Sequence, residues 1–247
     1  MTSVLAALGN ALRSVLHPKM LALTIWPMLV ALSLWLGLAW LHWDTWSHWL
    51  NALITGSVIA DWLPQRGFVD VVHYTSIVLL FALLAPMILI TAVLIAAVIE
   101  MPLIVNFVAA RDYPGLERRH GGTVIASIGN ATTSVLVFAG LWIVTLPLWL
   151  TGVLALVLPL ILSAWLNQRL FRFDALSDHA TAAEYRAIIE AGWGRMYLLG
   201  LLLALFYYVP LVNLLVPVLS GLAFTHFGLA ELARLRQEGV RREKVPI

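Results

Sequence analysis

The chain offers few residues that could do chemistry, because only 11% of its 247 residues are charged and none is cysteine. Its 7 histidines are scattered, without the close spacing that zinc ligands need. The sequence also lacks a phosphate-binding loop, a GxSxG nucleophile motif and a GxGxxG dinucleotide motif that opens a helix. We therefore expect no enzymatic activity, no metal, no cofactor and no nucleic-acid partner.

One carboxylate stands out by its position. Glu100 is the only acidic residue in a long apolar stretch, about 15 Å from Arg111 along a straight helix. A carboxylate inside the hydrocarbon is by default a functional hypothesis, in this case a proton-coupling site. The alternative is that the helix leaves the membrane past Pro102, which places Glu100 near the interface and paired with an arginine.

A second candidate site is a turn bounded by Pro210 and Pro217 in the middle of an apolar stretch; Pro147 interrupts an earlier one. Apolar segments broken by proline in corresponding positions indicate the substrate site of a transporter. Pro217 suits the first turn of a returning helix, whose N–H groups and positive dipole end would face an anion. Asn213 supplies the strong side-chain hydrogen-bonding group there. The alternative is a turn whose polar groups satisfy one another.

Composition decides which elements must position these groups. Apolar residues make up 62% of the chain and the mean hydropathy is +0.92, so a soluble fold would expose large apolar patches. Soluble enzymes, secreted disulfide scaffolds and disordered chains are thereby excluded. Backbone in lipid must be helical unless it closes into a barrel of alternating strands, which this sequence lacks. The predicted fold class is an all-α integral membrane protein, with stretches free of Asp, Glu, Lys and Arg at 20–43, 71–99, 120–168 and 196–230.

The charge-free stretches predict two long transmembrane helices and two proline-broken hairpins. In the second hairpin 14 residues lie on each side of the proline turn, or about 21 Å, which is short of a hydrocarbon core of about 30 Å. This favours hairpins that only partly enter the bilayer; full crossings are the alternative, and length does not decide for the first hairpin. The expected order in one membrane domain over 1–247 is a leader at 1–19, transmembrane helices at 20–43 and 71–110, an external interfacial segment at 44–70, hairpins at 123–168 and 196–230, a cytoplasmic link at 169–195 and a basic tail at 231–247.

Basic residues set the expected orientation. All but one of the 15 lysines and arginines fall in the leader, the 110–122 segment, the link and the tail. By the positive-inside rule these segments and both termini are cytoplasmic, and six full spans would give the same orientation. The leader and the external segment are predicted to be interfacial amphipathic helices. Their apolar positions are Val4, Leu5, Leu8, Leu12 and Val15 in the leader and Trp40, Trp43, Trp46 and Trp49 farther on.

The link contains a local helix signal. Thr181 and Glu184 have the spacing of a capping box, in which the two side chains satisfy each other's backbone N–H groups. Apolar residues then follow at helical spacing as far as Met196. The link is therefore predicted to form a surface helix that leads into the second hairpin.

Short motifs spread over nearly the whole chain carry a family resemblance. They are Pro18 with Ile25-Trp-Pro27-Met-Leu29, Pro102 with Ala109, Leu162-Ser-Ala-Trp165 with Phe173-Asp174, and Val209-Pro-Leu-Val-Asn213-Leu with Pro217 and Gly221-Leu-Ala223. In this order they resemble the CysZ-type sulfate permease family, of which the chain is a divergent relative. The resemblance implies two long transmembrane helices, two hairpins that partly enter the membrane, homo-oligomeric assembly and sulfate uptake across the bacterial inner membrane.

The chain departs from that family at two places. Where the sulfate permeases have a stretch like Pro-Gly-x-Arg-Arg before the first span, this chain reads His17-Pro-Lys19-Met-Leu21, with one cation instead of two. Glu100 stands where the family usually has a small residue.

Together these features predict a membrane permease or channel for a small inorganic anion, with sulfate as the substrate by resemblance. In this hypothesis Lys19 attracts the ion at the cytoplasmic mouth, and Pro210, Asn213 and Pro217 line its path. Two alternatives stay open. One is a non-transporting membrane scaffold or assembly protein that works through its cytoplasmic links and tail. The other is a proton-coupled transporter that uses Glu100.

Overall fold

The computed structural model describes residues 2–55, 71–209 and 212–243 of the chain. Across these residues all regular secondary structure is helical, as the lack of alternating strands predicts. The helices are α1 (Thr2–Val15), α2 (Pro18–Thr55), α3 (Val71–Asp112), α4 (Val124–Trp149), α5 (Val153–Ser177), α6 (Ala182–Phe206), a 3₁₀ helix (Val212–Leu215) and α7 (Val216–Glu243).

Six of the described helices are long and apolar enough to cross a membrane: α2, the Tyr74–Ala92 part of α3, and α4 to α7. The prediction of an all-α, multi-pass membrane protein is confirmed at this level. Even α5 and α6, with 25 residues each, measure about 37 Å. Helix length alone therefore allows both full crossings and hairpins that stop inside the bilayer.

The described contacts divide the chain into two compact units. Unit 1 comprises Met1–Thr24 and Ile99–Ile247, and unit 2 comprises Ile25–Val98. Unit 2 has a small core of buried Ala39, Leu50, Leu80 and Leu84.

The predicted end of the first span, at residue 43, coincides with a break in α2. His42 has non-helical backbone angles (φ −116°, ψ 16°), so the helix changes direction there. Trp40 and Trp49 are exposed, as a belt at the headgroup level requires, whereas Trp46 packs against the core of unit 2. The predicted external segment is helical as far as Thr55, and 56–70 lies outside the described residues.

The helix α7 forms the centre of unit 1. Every residue from 218 to 229 is buried, and α1, α5 and α6 all contact this helix. Small residues permit the close approach: a Cβ on Gly221 would lie 2.9 Å from Ile104 Cδ1, and one on Gly228 would lie 3.2 Å from Leu176 Cδ2.

The helix α1 is amphipathic, and Val4 and Val15 of the predicted apolar stripe are buried. Leu5 and Leu12 of the predicted stripe are exposed, at 62% and 40%. The buried face of α1 consists mainly of smaller residues, which allow α1 to lie close to α7 in the core of unit 1. These residues, each at most 4% exposed, are Val4, Ala7, Ala11 and Val15.

The first hairpin turns slightly later than Pro147 predicted. The helix α4 continues through Pro147 to Trp149, and the turn occupies Leu150–Gly152. Gly152 has a φ of 76°, which glycine adopts without the steric cost of a Cβ. The reversal therefore depends on this glycine rather than on the proline, which lies in the last turn of α4.

The second hairpin turns within the predicted segment. The helix α6 ends at Phe206, and the Val209 N–H donates to the Phe206 carbonyl oxygen at 3.1 Å. The 3₁₀ helix then leads into α7, and Pro217 is the second residue of α7. Pro210 lies outside the described residues.

The surface helix of the link and the first arm of the second hairpin are one continuous helix, α6. At its start the Glu184 N–H donates to Thr181 Oγ1 at 3.2 Å, and the Thr181 N–H donates to Glu184 Oε2 at 2.8 Å. The predicted capping box is thereby confirmed. The connection between α5 and α6 is only 178–181.

The predicted basic segments meet at one end of unit 1. Arg236 donates to Glu184 Oε1 and to the Glu117 carbonyl oxygen, both at 2.9 Å. Arg195 donates to Ser3 Oγ of the leader at 3.4 Å. The leader, the connections α3–α4 and α5–α6, and the tail therefore lie on one side of the hairpins, which a common side of the membrane requires.

Candidate anion site

Lys19 lies in a groove formed where α2 begins and α3 ends. The groove is open to its surroundings and has a volume of about 490 Å³ within unit 1. The lining residues, which define what we call the Lys19 groove, are Lys19, Met20, Leu23, Leu103, Asn106, Phe107, Ala110 and Arg111.

The Lys19 groove concentrates positive charge. Arg111 adds a second cation, and Arg118 reaches its edge by donating from Nη2 to Asn106 Oδ1 at 2.7 Å. That bond engages the amide oxygen, so the remaining end of the Asn106 side chain is a hydrogen-bond donor. Arg111 pairs with Asp112 at 3.6 Å, but both side chains are partly exposed and such pairs are weak. An anion can therefore compete for Arg111.

The turn between α1 and α2 fixes the position of Lys19. The His17 ring packs on the Phe107 ring at a centroid distance of 5.1 Å. The Lys19 N–H donates to His17 Nδ1 at 3.3 Å. Pro18 opens α2, a position where its missing N–H costs nothing. The positive dipole end of α2 therefore lies beside the Lys19 ammonium group.

Asn213 and Pro217, two of the other predicted anion residues, lie at the turn of the second hairpin, apart from the Lys19 groove. Asn213 lies in the 3₁₀ helix with an exposed side chain, and its N–H donates to the Val209 carbonyl oxygen at 3.1 Å. Pro217 is exposed in the first turn of α7, at the positive dipole end of that helix. Neither residue lines the Lys19 groove.

Glu100 lies level with the start of α7. Gly221 packs against Ile104 of α3, and farther along both helices the Tyr113 hydroxyl donates to the His226 carbonyl oxygen at 3.4 Å. The two helices therefore run in the same direction here, and the residues before Ile104 lie beside those before Gly221.

Glu100 is 8% exposed. Within the described part of the chain no lysine or arginine forms a salt bridge with it, so the predicted arginine partner is not found there.

The sequence did not single out Arg111 or Asn106 as partners of Lys19. They are far from Lys19 in the chain, and only the packing of α2 beside α3 brings the three together. The sequence does contain one indication of these residues. The groove residues at the end of α3 recur every three or four positions, so they lie on one face of that helix. These residues are Leu103, Asn106, Phe107, Ala110 and Arg111.

A family model described as Sulfate transporter CysZ/Etoposide-induced protein 2.4 matches residues 7–217. The chain belongs to this family. The match includes the Lys19 groove and most of the described structure from α1 to the start of α7. Comparison with curated proteins and with solved structures gave no match. The protein is thus a membrane protein of a sulfate transporter family rather than of an enzyme family.

The family assignment bears on the stretch before the first span, where this chain differs from the sulfate permeases. The resemblance described above leads us to expect two cations on that stretch, whereas this member has Lys19 alone there. In the structure Arg111 of α3 lines the same groove as Lys19. Two cations therefore face the cavity, one from each helix.

Proposed function

We propose that this member of the family is a permease or channel for a small inorganic anion, with sulfate as its substrate. The observation that carries the proposal is the Lys19 groove, an open groove of about 490 Å³ in which Lys19, Arg111 and Asn106 lie beside five apolar residues. Sulfate is a dianion whose oxygens accept hydrogen bonds, and charge-assisted bonds from lysine and arginine are the strong ones. The groove collects the anion at the cytoplasmic mouth, and Asn213 and Pro217 line the path farther in.

The second hairpin is proposed to stop inside the bilayer. Arg195 and Glu231 join its arms by an ion pair at 2.6 Å, and neither arm carries a charge between this pair and the turn. The charge-free parts, 196–206 and 216–230, measure about 17 and 22 Å. With the ion pair at the headgroup level, the turn lies inside a hydrocarbon core of about 30 Å. Protein must then surround the turn, because lipid cannot satisfy its backbone.

The first hairpin supports the same interpretation. Arg169 of α5 donates from Nε to Ser134 Oγ of α4 at 3.1 Å, and Asn130 Nδ2 donates to the Arg169 carbonyl oxygen at 3.1 Å. Between these contacts and the turn, α5 carries no charge over 153–168, which is about 24 Å. Both hairpins are thus joined by polar contacts at the base and are apolar towards the turn.

Orientation and assembly complete the proposal. We place the leader, the α3–α4 and α5–α6 connections and the tail in the cytoplasm of a bacterium, with the protein in its inner membrane, because most of the cations lie on these segments. By analogy with the family the protein is a homo-oligomer in contact with lipid.

Sulfate flux into liposomes that contain the purified protein is the direct test. Lys19→Gln and Arg111→Gln are each expected to slow uptake of radiolabelled sulfate about tenfold, because each removes a hydrogen bond to a charged group. Asn213→Ala tests the path at the turn. Arg186→Gln is the matched control, since it removes an exposed cation of α6 that does not line the groove.

A flux no faster than in empty liposomes would remove the permease proposal and leave the membrane scaffold. If Lys19→Gln and Arg111→Gln take up sulfate as fast as the wild type while Arg186→Gln takes it up more slowly, the Lys19 groove is not part of the path.

Proton-coupled transport is the second candidate, and the burial of Glu100 without a salt-bridge partner in the described residues favours it. A buried carboxylate at the level of the hairpin turn is placed to exchange a proton during transport. Glu100→Gln should then abolish the dependence of sulfate uptake on a pH gradient while binding of sulfate persists. A pH dependence that survives this change would exclude Glu100 as the coupling site.

A further inference from the structure

Two arginines of α5, Arg169 and Arg172, lie one turn apart and are both half-buried. Side chains at this spacing are neighbours on a helix. Neither forms a salt bridge with a carboxylate in the described part of the chain. The acidic residue nearest to them in sequence, Asp174, instead accepts a hydrogen bond from Ser127 of α4. Neither arginine therefore has a carboxylate as a direct partner in this part of the chain.

Neutral groups orient both guanidinium groups. Arg169 lies over the Trp165 ring, 5.4 Å from its centroid, and donates from Nε to Ser134 Oγ at 3.1 Å. Arg172 donates from Nη1 to Gln168 Oε1 at 2.8 Å. The Arg172 Nε is buried and finds no hydrogen-bond partner among the described residues. These contacts orient both guanidinium groups but give neither a carboxylate partner.

The pair lies where the apolar part of the first hairpin begins, since 153–168 carries no charge. Aromatic side chains mark the same level of unit 1. Trp193, which is 51% exposed, stacks on Tyr197 at 5.5 Å, and the Tyr197 hydroxyl donates to the Ile161 carbonyl oxygen at 3.1 Å. Tryptophan and tyrosine prefer the boundary between headgroups and hydrocarbon. In the proposed topology the two arginines are therefore at the depth of the lipid phosphates.

We infer that Arg169 and Arg172 bind the phosphate group of an anionic membrane lipid at the base of the first hairpin. The fork of a guanidinium group matches the oxygens of a phosphate. Neither arginine lines the Lys19 groove, so the lipid site and the anion path are separate. The lipid holds the hairpin base at the headgroup level.

Native mass spectrometry of the full-length protein tests this site. The protein is titrated in neutral detergent with phosphatidylglycerol or phosphatidylcholine, and the bound lipid is counted. The wild type should retain phosphatidylglycerol preferentially, and Arg169→Gln and Arg172→Gln should each weaken that binding about fivefold. Arg186→Gln is the control for net charge and should bind like the wild type.

Equal retention of the two lipids by the wild type, or unchanged phosphatidylglycerol binding in the double glutamine variant, would overturn the inference. Displacement of the lipid by inorganic phosphate at an equal concentration would also overturn it, because the site would then serve a soluble anion. If the double glutamine variant does not fold, Arg169→Lys with Arg172→Lys replaces it. This variant keeps both charges but loses the fork, so it should bind more weakly than the wild type, and unchanged affinity would contradict the assignment.

Discussion

Arg195 of α6 and Glu231 of α7 form an ion pair at 2.6 Å that joins the two arms of the second hairpin. The Glu231 side chain is only 9% exposed, so its charge has lost most of its water. Arg234 also contacts Glu231, at 3.0 Å, and the Arg195 guanidinium lies 5.5 Å from the centroid of the Phe227 ring. Removing one member of such a pair is costly because the other stays buried.

We therefore predict that Arg195→Gln lowers the free energy of unfolding by about 2 kcal/mol, less than for a fully buried pair because Arg195 is partly exposed and Arg234 remains. Unfolding in detergent measures this. Glu238→Gln is the control, since its pair with Arg234 is exposed and should contribute about 0.5 kcal/mol or less. Similar losses in the two variants would show that the ion pair does not stabilise the hairpin.

Features encoded over a few residues could be read from the sequence. The capping box of Thr181 and Glu184 is complete within one turn, and the structure forms both of its hydrogen bonds. The turn of the first hairpin was predicted less well, because Pro147 is a conspicuous breaker whereas the reversal uses the left-handed conformation of Gly152. A sequence alone does not distinguish a proline in the last turn of a helix from a proline that lies beyond the end of that helix.

Features that depend on packing between distant segments could not be read in this way. Lys19 was singled out, but Arg111 enters the same groove only because α2 begins beside the end of α3. The leader was predicted to be an interfacial amphipathic helix, but the sequence did not single out Ala7 and Ala11, which are buried in the core of unit 1. Small residues give helices a shorter separation, which a count of apolar residues on a face does not measure.

The glycines before α4 are predicted to be essential for packing. The Gly121 N–H donates to the Ala180 carbonyl oxygen at 3.1 Å, and a Cβ on Gly121 would lie 2.1 Å from that oxygen. A Cβ on Gly122 would lie 2.6 Å from Ser177 Cβ. Gly121→Ala and Gly122→Ala should each cost about 1–3 kcal/mol of unfolding free energy, as overpacking does.

A matched substitution separates packing from helix propensity. Gly129 lies inside α4, and a Cβ there would meet nothing within 4 Å. Gly129→Ala should leave the protein as stable or raise its unfolding free energy by up to about 1 kcal/mol. A loss as large as that of Gly121→Ala would contradict the argument from close contact.

His179 is predicted to make stability depend on pH. Burial chiefly, and then the charge of Arg118, lower the pKa of its imidazole from 6.5, with Arg236 and His120 adding to the effect and Asp178 opposing it. As the pH falls below about 6.5, the unfolded chain binds a proton at this residue before the folded protein does, so stability is lost. His179→Gln should flatten the fall in Tm across this range, and an unchanged slope would exclude His179 as its source.

The depth of the second hairpin turn can be measured by labelling, because the native chain has no cysteine. In the proposed geometry a cysteine at Asn213 lies inside the bilayer, so a membrane-impermeant maleimide should label it slowly from either side. A cysteine at Glu238, which is exposed at the hairpin base, should react quickly from the cytoplasmic side alone. Fast labelling of the Asn213 position from the outside would mean that α6 and α7 cross completely. The turn would then be bathed in external solvent, and Asn213 would have no place in a path through the membrane.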